Sequence, residues 1–168
     1  FNMKISILIV IGVTLTSLKT DILPNILIIG DSISIGYTPY LQSQLIGIAN
    51  VVHNPGNAQH TGVGIEKLKE WLGNTSWDII QFNWGLWDLC YRNPVSGNHG
   101  NLDKINGQIT VPIEKYRENL DSLAKMLRSS TNAVLIYVTT SYVPENEPGR
   151  HKEDVISYNH AAKEVMAR

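Results

Sequence analysis

The sequence predicts an α/β domain, a doubly wound three-layer α/β/α sandwich around a parallel sheet. Three observations predict it. Short apolar runs of strand length alternate with longer stretches whose apolar residues recur at helical spacing. Those strand-like runs are continuously apolar rather than alternating, as strands covered on both faces must be. The chain has the length of one domain, and no repeat or second composition divides it.

The elements follow in order. Asn25 to Gly30 (NILIIG) is a short apolar run closed by glycine, a buried parallel strand. Ile33 to Leu45 is a helix in which Pro39 must lie in the first turns or cause a kink. Ala49 to His53 is the second strand. Ile65, Leu68 and Leu72 give the next helix one apolar face, and Trp77 to Asn83 is the third strand. Arg92 to Thr110, rich in Gly and Asn, reads as a long surface loop. Ile113, Tyr116, Leu120, Leu123 and Leu127 mark a strongly amphipathic helix with Pro112 near its start. Ala133 to Val138 is the fourth strand, and Val155, Tyr158, Ala162 and Val165 trace the final helix.

Composition excludes several classes. Hydrophobic residues make up 43% and charged residues 17%, with a formal net charge of −1. Lysine and arginine are scattered, so there is no electrostatic footprint for nucleic acid. No His/Cys/Asp/Glu cluster has the spacing of metal ligands, and neither a metal nor another cofactor is expected. Cys90 is the only cysteine, which rules out an internal disulfide.

The beginning of the chain reads as an export signal. Met3 and Lys4 precede the apolar run ISILIVIGVTLTSL, and Lys19, Thr20 and Asp21 close it. The run is shorter than the roughly 20 apolar residues that span a bilayer. Residues 1–22 are therefore expected to be a signal peptide or hydrophobic leader, and 23–168 the folded domain. The processed protein is expected in the periplasm or outside the cell, without stable membrane insertion. Phe1 and Asn2 precede the only plausible initiator, and the chain stops within an amphipathic pattern. Both ends read as those of a fragment.

In a parallel sheet, chemistry collects outside the carboxyl ends of the strands. That rule points to the loops beginning at Gly30, His53, Asn83 and Val138. The first is GDSIS, Gly30 to Ser34. A serine after a buried strand and at a helix start is exposed beside outward-facing amides that can stabilise an oxyanion. Asp and Ser are also preferred helix caps, so the triplet alone decides little. The second loop is HNPGNAQHTG, where Asn and Gly allow sharp turns and His60 reads as a surface residue. The third is FNWGLWDL, where Asn83, Gly85 and Asp88 interrupt an aromatic setting. Trp84 and Trp87 there are either flat surfaces for sugar rings or core anchors.

Taken together, these blocks resemble the SGNH/GDSL hydrolases, especially secreted bacterial serine esterases. The resemblance rests on NILIIGDSISIGYTPY, HNPGNAQHT, FNWGLWDLCYRNP and YNHAAKEVM, and covers nearly everything from Leu23 onward. It implies a flavodoxin-like sandwich and hydrolysis of short-chain esters, carbohydrate acetyl groups among them, through an acyl-enzyme. Ser32 matches the nucleophile, supported by Asp31, Gly85 and Asp88. The oxyanion hole would use the Ser32 amide, Gly56 and the residue at Trp87, with Asn57 or Asn83 as substitutes.

Three departures stand out. Counting from Asn54 to Thr61 puts Gln59 where the family has its second-block glycine. The third block reads Gly85-Leu86-Trp87-Asp88 where the family has Gly-x-Asn-Asp, so Trp87 stands in the place of the oxyanion asparagine. Its indole N–H can donate one hydrogen bond. The family's base, a histidine in Asp-x-x-His after a fifth strand, has no counterpart, since His151 and Asp154 run in the reverse order. The expectation is a chain ending before that strand, with little activity by itself. The alternatives are a non-catalytic carbohydrate-binding relative and a flavodoxin-like phosphate or cofactor binder. Asp31 argues against the latter, because its carboxylate would repel a phosphate.

Overall fold

A computed structural model describes residues 22–168. The apolar opening run read as an export signal lies outside the described residues. The elements are β1 (Asn25–Ile29), α1 (Ser32–Gln44), β2 (Asn50–His53), α2 (Thr61–Leu72), β3 (Ile79–Phe82), β4 (Tyr91–Arg92), β5 (Gln108–Ile109), α3 (Ile113–Ser130), β6 (Val134–Tyr137) and α4 (Lys152–Met166). Each predicted strand and helix is present within a few residues of its expected ends.

Four strands form one parallel sheet in the order β2-β1-β3-β6. On one face, Leu27 and Ile29 of β1 and Ile80 and Phe82 of β3 join a core filled by Leu68, Trp71, Leu120, Leu123, Leu127 and Tyr158 of α2, α3 and α4. The helical stripe read from Tyr116 to Leu127 is the buried face of α3. On the other face α1 packs on β1 and β2. Beyond α1, Val134 and Ile136 of β6 remain 62% and 43% exposed.

Two local expectations change. Pro39 is the eighth residue of α1, past its first turns, and the helix runs through it. Proline cannot bond back to the carbonyl four residues earlier, so α1 lacks one link of its ladder there. The stretch 92–110 is not a bare loop. Its ends pair as the antiparallel strands β4 and β5, with Tyr91 opposite Ile109 and Arg92 opposite Gln108. Within it Asp103 accepts from the amides of Ile105 and Asn106, 3.1 and 2.9 Å away, folding the turn. No helix of the described residues is long and apolar enough to cross a membrane.

Candidate functional site

The strand order reverses between β1 and β3. From β1 the chain crosses to β2 on one side, and from β3 it proceeds to β6 on the other. Crossovers leaving in opposite directions open a crevice at the carboxyl ends of the two strands, where ligands of open α/β sheets bind. The turn Gly30–Ser34 emerges from β1 at this point.

Ser32 is the first residue of α1 and is exposed. Its hydroxyl therefore lies on the rim of the sheet, not within the core. Asp31, 5% exposed, caps the helix by accepting from the Ile33 amide at 3.0 Å. Its carboxylate thus takes the amide that a phosphate at this helix start would need. Beneath the turn, the Ser34 hydroxyl donates to the Asp31 carbonyl (2.7 Å) and lies 2.7 Å from His53 Nε2. The other ring nitrogen of His53 is 2.7 Å from the Asn54 carbonyl oxygen. The Gly30 amide donates to Asn54 Oδ1 at 3.0 Å. A β-carbon on Gly30 would come within 2.6 Å of Ser34 Oγ, so this close turn requires glycine.

The loop after β2 carries Gly56 with φ +69° and Gln59 with φ +50°. Gln59 has a left-handed backbone at the position where the resemblance would put glycine. Asn57 helps hold it, its Oδ1 accepting from the Gln59 amide at 2.8 Å. Its carbonyl oxygen is therefore engaged within the loop. His60 caps α2, Nδ1 accepting from the Gly62 amide at 3.2 Å, and burial pushes its pKa down.

The loop after β3 is the most tightly held. The Trp84 carbonyl accepts from three hydroxyls: Tyr116 at 2.9 Å, Thr140 at 3.1 Å and Tyr137 at 3.2 Å. Gly85 follows at φ +155°, and a β-carbon there would fall 1.9 Å from Thr140 Oγ1. Trp84 is a core anchor at 1% exposure, with Nε1 donating to the Ala58 carbonyl at 3.3 Å. Trp87 is half-buried, and the Arg92 guanidinium lies 4.7 Å from its ring centre. Asn83 donates to the Val138 carbonyl at 2.6 Å, so its amide nitrogen already serves the sheet edge.

Asp88 is fully buried. Its Oδ1 accepts from the Thr61 amide (2.9 Å) and hydroxyl (2.5 Å), tying this loop to the start of α2. Oδ2 has no partner, and burial raises the carboxyl to about 7 against the pull of the Thr61 bonds. Cys90 is fully buried, and burial pushes its thiol up. No group of three or more His, Cys, Asp or Glu side chains among the described residues is placed to hold a metal ion.

The structure thus brings the turn after β1 and the loops after β2 and β3 to one end of the sheet. Asp31, Asn57, Gly85 and Asp88 support the backbone there, while Ser32 and Gly56 face outward. His151, the residue just before α4, lies 3.1 Å from the Lys104 carbonyl oxygen and makes no side-chain cap, and His160 pairs with Glu164 along that helix. Sequence reading missed the Ser34–His53 contact. The signal was present, a histidine ending one strand and a second serine in the turn of its neighbour, but only pairing of β1 with β2 brings them together.

No protein-family profile matches the chain, and no curated protein matches it. Solved structures do. A lipase/acylhydrolase from Enterococcus faecalis is 18% identical, with TM-score 0.65, over 86% of this chain and 72% of that one. An α/β hydrolase from the metagenome of Lake Arreo, Spain, is 17% identical, with TM-score 0.64, over 86% and 73%. An acetylxylan esterase from Geobacillus stearothermophilus is 14% identical, with TM-score 0.61, over 86% and 72%. The chain has the fold of lipases, acylhydrolases and esterases of the SGNH/GDSL type.

Proposed function

We propose that the protein is a serine ester hydrolase and that Ser32 is its nucleophile. One observation carries this reading: an exposed serine at the first position of α1, at the switch between β1 and β3. Ser32 Oγ attacks the ester carbonyl, its proton passes to a base, and the alcohol leaves as the acyl group is carried on Oγ. Water then attacks that acyl group and restores the serine. The Ser32 amide and the Gly56 amide are the donors proposed for the oxyanion, with the Trp87 indole as a third.

A serine hydroxyl is a weak nucleophile without a neighbouring base. The histidine held against this turn, His53, contacts Ser34 Oγ, and no Asp-x-x-His occurs in the sequence. Residues 1–168 are accordingly expected to turn over slowly by themselves. The test supplies the base from solution. With imidazole added, an aryl acetate should acetylate Ser32, detected by peptide mass spectrometry, and Ser32→Ala should abolish the modification. Acetyl groups scattered over lysines, with Ser32 unmodified, would exclude the reading.

The other reading is a carbohydrate-binding relative without catalysis. The Trp87 ring in place of an oxyanion asparagine favours it, since an indole plane also suits a sugar face. Binding of acetylated xylan oligosaccharides that is lost in Trp87→Ala, with Ser32 never acylated, would select it.

A further inference from the structure

We propose that the groove between α1 and the loop after β2 binds the apolar acyl chain of the substrate, so that the preferred ester is medium-chain rather than an acetyl. This rests on Ser32 being the nucleophile. The groove encloses about 330 Å³ and is lined by Ile35, Thr38, Pro39, Gln42, His53, Asn54 and Gly56. Ser32, Ile35 and Pro39 fall at i, i+3 and i+7 on one face of α1, so it begins one helical turn from the nucleophile. Gly56, a proposed oxyanion donor, stands on its opposite wall.

The state of the polar lining groups selects the occupant. Gln42 Nε2 donates to the Val51 carbonyl at 3.0 Å. Thr38 turns its hydroxyl to the Ser34 carbonyl at 2.6 Å. Both nitrogens of His53 are engaged, and Asn54 serves the Gly30 amide through Oδ1 and the Pro55 and Gly56 carbonyls through Nδ2. A sugar needs unpaired donors and acceptors, and these side chains offer few. Most of what faces solvent is hydrocarbon, with Ile35 43% exposed and Pro39 exposed. Ile35 to Gln42 spans roughly 10 Å of helix, room for an octanoyl chain laid along α1.

The test uses the full chain carrying Ser32→Ala, titrated with octanamide, butyramide and acetamide and followed by amide NMR. Octanamide should saturate, shifting the amides of Ile35, Gln42, His53 and Gly56, and should bind at least about tenfold more tightly than butyramide. Ile35→Trp, which fills the groove, and Pro39→Glu, which places a charge at its wall, should each weaken octanamide about tenfold while circular dichroism shows the fold retained. Equal affinities across the three amides, or shifts scattered over Ile46, Ile48 and Val134 instead, overturn the proposal. Octanamide binding with wild-type Ser32 never acylated overturns the esterase reading and the acyl-site role with it, whereas acylation of wild-type Ser32 without octanamide binding overturns the groove alone.

Discussion

Ser34 Oγ stands 2.7 Å from His53 Nε2, joining the helix that begins at Ser32 to the end of the neighbouring strand. The contact fixes the turn from beneath, because the same hydroxyl also holds the Asp31 carbonyl. Removing His53 leaves the buried Ser34 hydroxyl, and removing Ser34 leaves the half-buried His53 ring, with one bond fewer. Ser34→Ala and His53→Ala should each cost about 1–2 kcal/mol in urea unfolding. The double variant should show a coupling of about 1 kcal/mol; strictly additive losses would mean the contact contributes nothing.

Asp88 makes stability depend on pH. Burial raises its carboxyl to about 7 in the folded protein, against an ordinary value of 3.8. Between those two values the unfolded chain ionises and the folded one does not, so stability falls as pH rises and levels off above about 7. Asp88→Asn keeps an oxygen for the Thr61 amide and hydroxyl and removes the ionisation. Its unfolding free energy should be flatter from pH 4 to 7 and no lower than wild type at pH 8. A variant that retains the full slope would assign the titration to another group.

Gly85 tolerates no side chain while Thr140 is in place. Its missing β-carbon would sit 1.9 Å from Thr140 Oγ1, and φ is +155°. Gly85→Ala should cost more than about 3 kcal/mol. Thr140→Ala should cost less, losing one of three donors to the Trp84 carbonyl. Thermal denaturation of both variants checks this, and a Gly85→Ala protein of wild-type Tm would refute the packing described.

In the proposed reading, Trp87 stands where the resemblance puts an oxyanion asparagine. Trp87→Asn restores the Gly-x-Asn-Asp pattern and should speed imidazole-assisted acetylation of Ser32 about a hundredfold, the size of effect that one such donor carries. The loss of the ring under Arg92 should lower stability by only about 0.5–1 kcal/mol. An unchanged acetylation rate would leave the indole as good a donor as the amide, or place position 87 away from the oxyanion.

The α/β alternation was legible in the sequence because its signals are local. A run such as NILIIG carries its own burial pattern, although the equally apolar β6 leaves Val134 and Ile136 exposed on one face, and the stripe from Tyr116 to Leu127 needs no partner to be recognised as one helix face. The same local signals also placed Ser32, since a strand ending in Gly30 and a helix starting after Asp31 leave that serine on the rim. What surrounds that serine was set by packing across the fold. Whether Trp84 was a platform or an anchor depended on where Ala58 falls across the fold. The pairing of His53 with Ser34 depended on the register of β2 against β1, and the burial of Asp88 on the approach of α2. Such contacts join residues 19 and 27 positions apart. No periodicity along the chain encodes a distance across it.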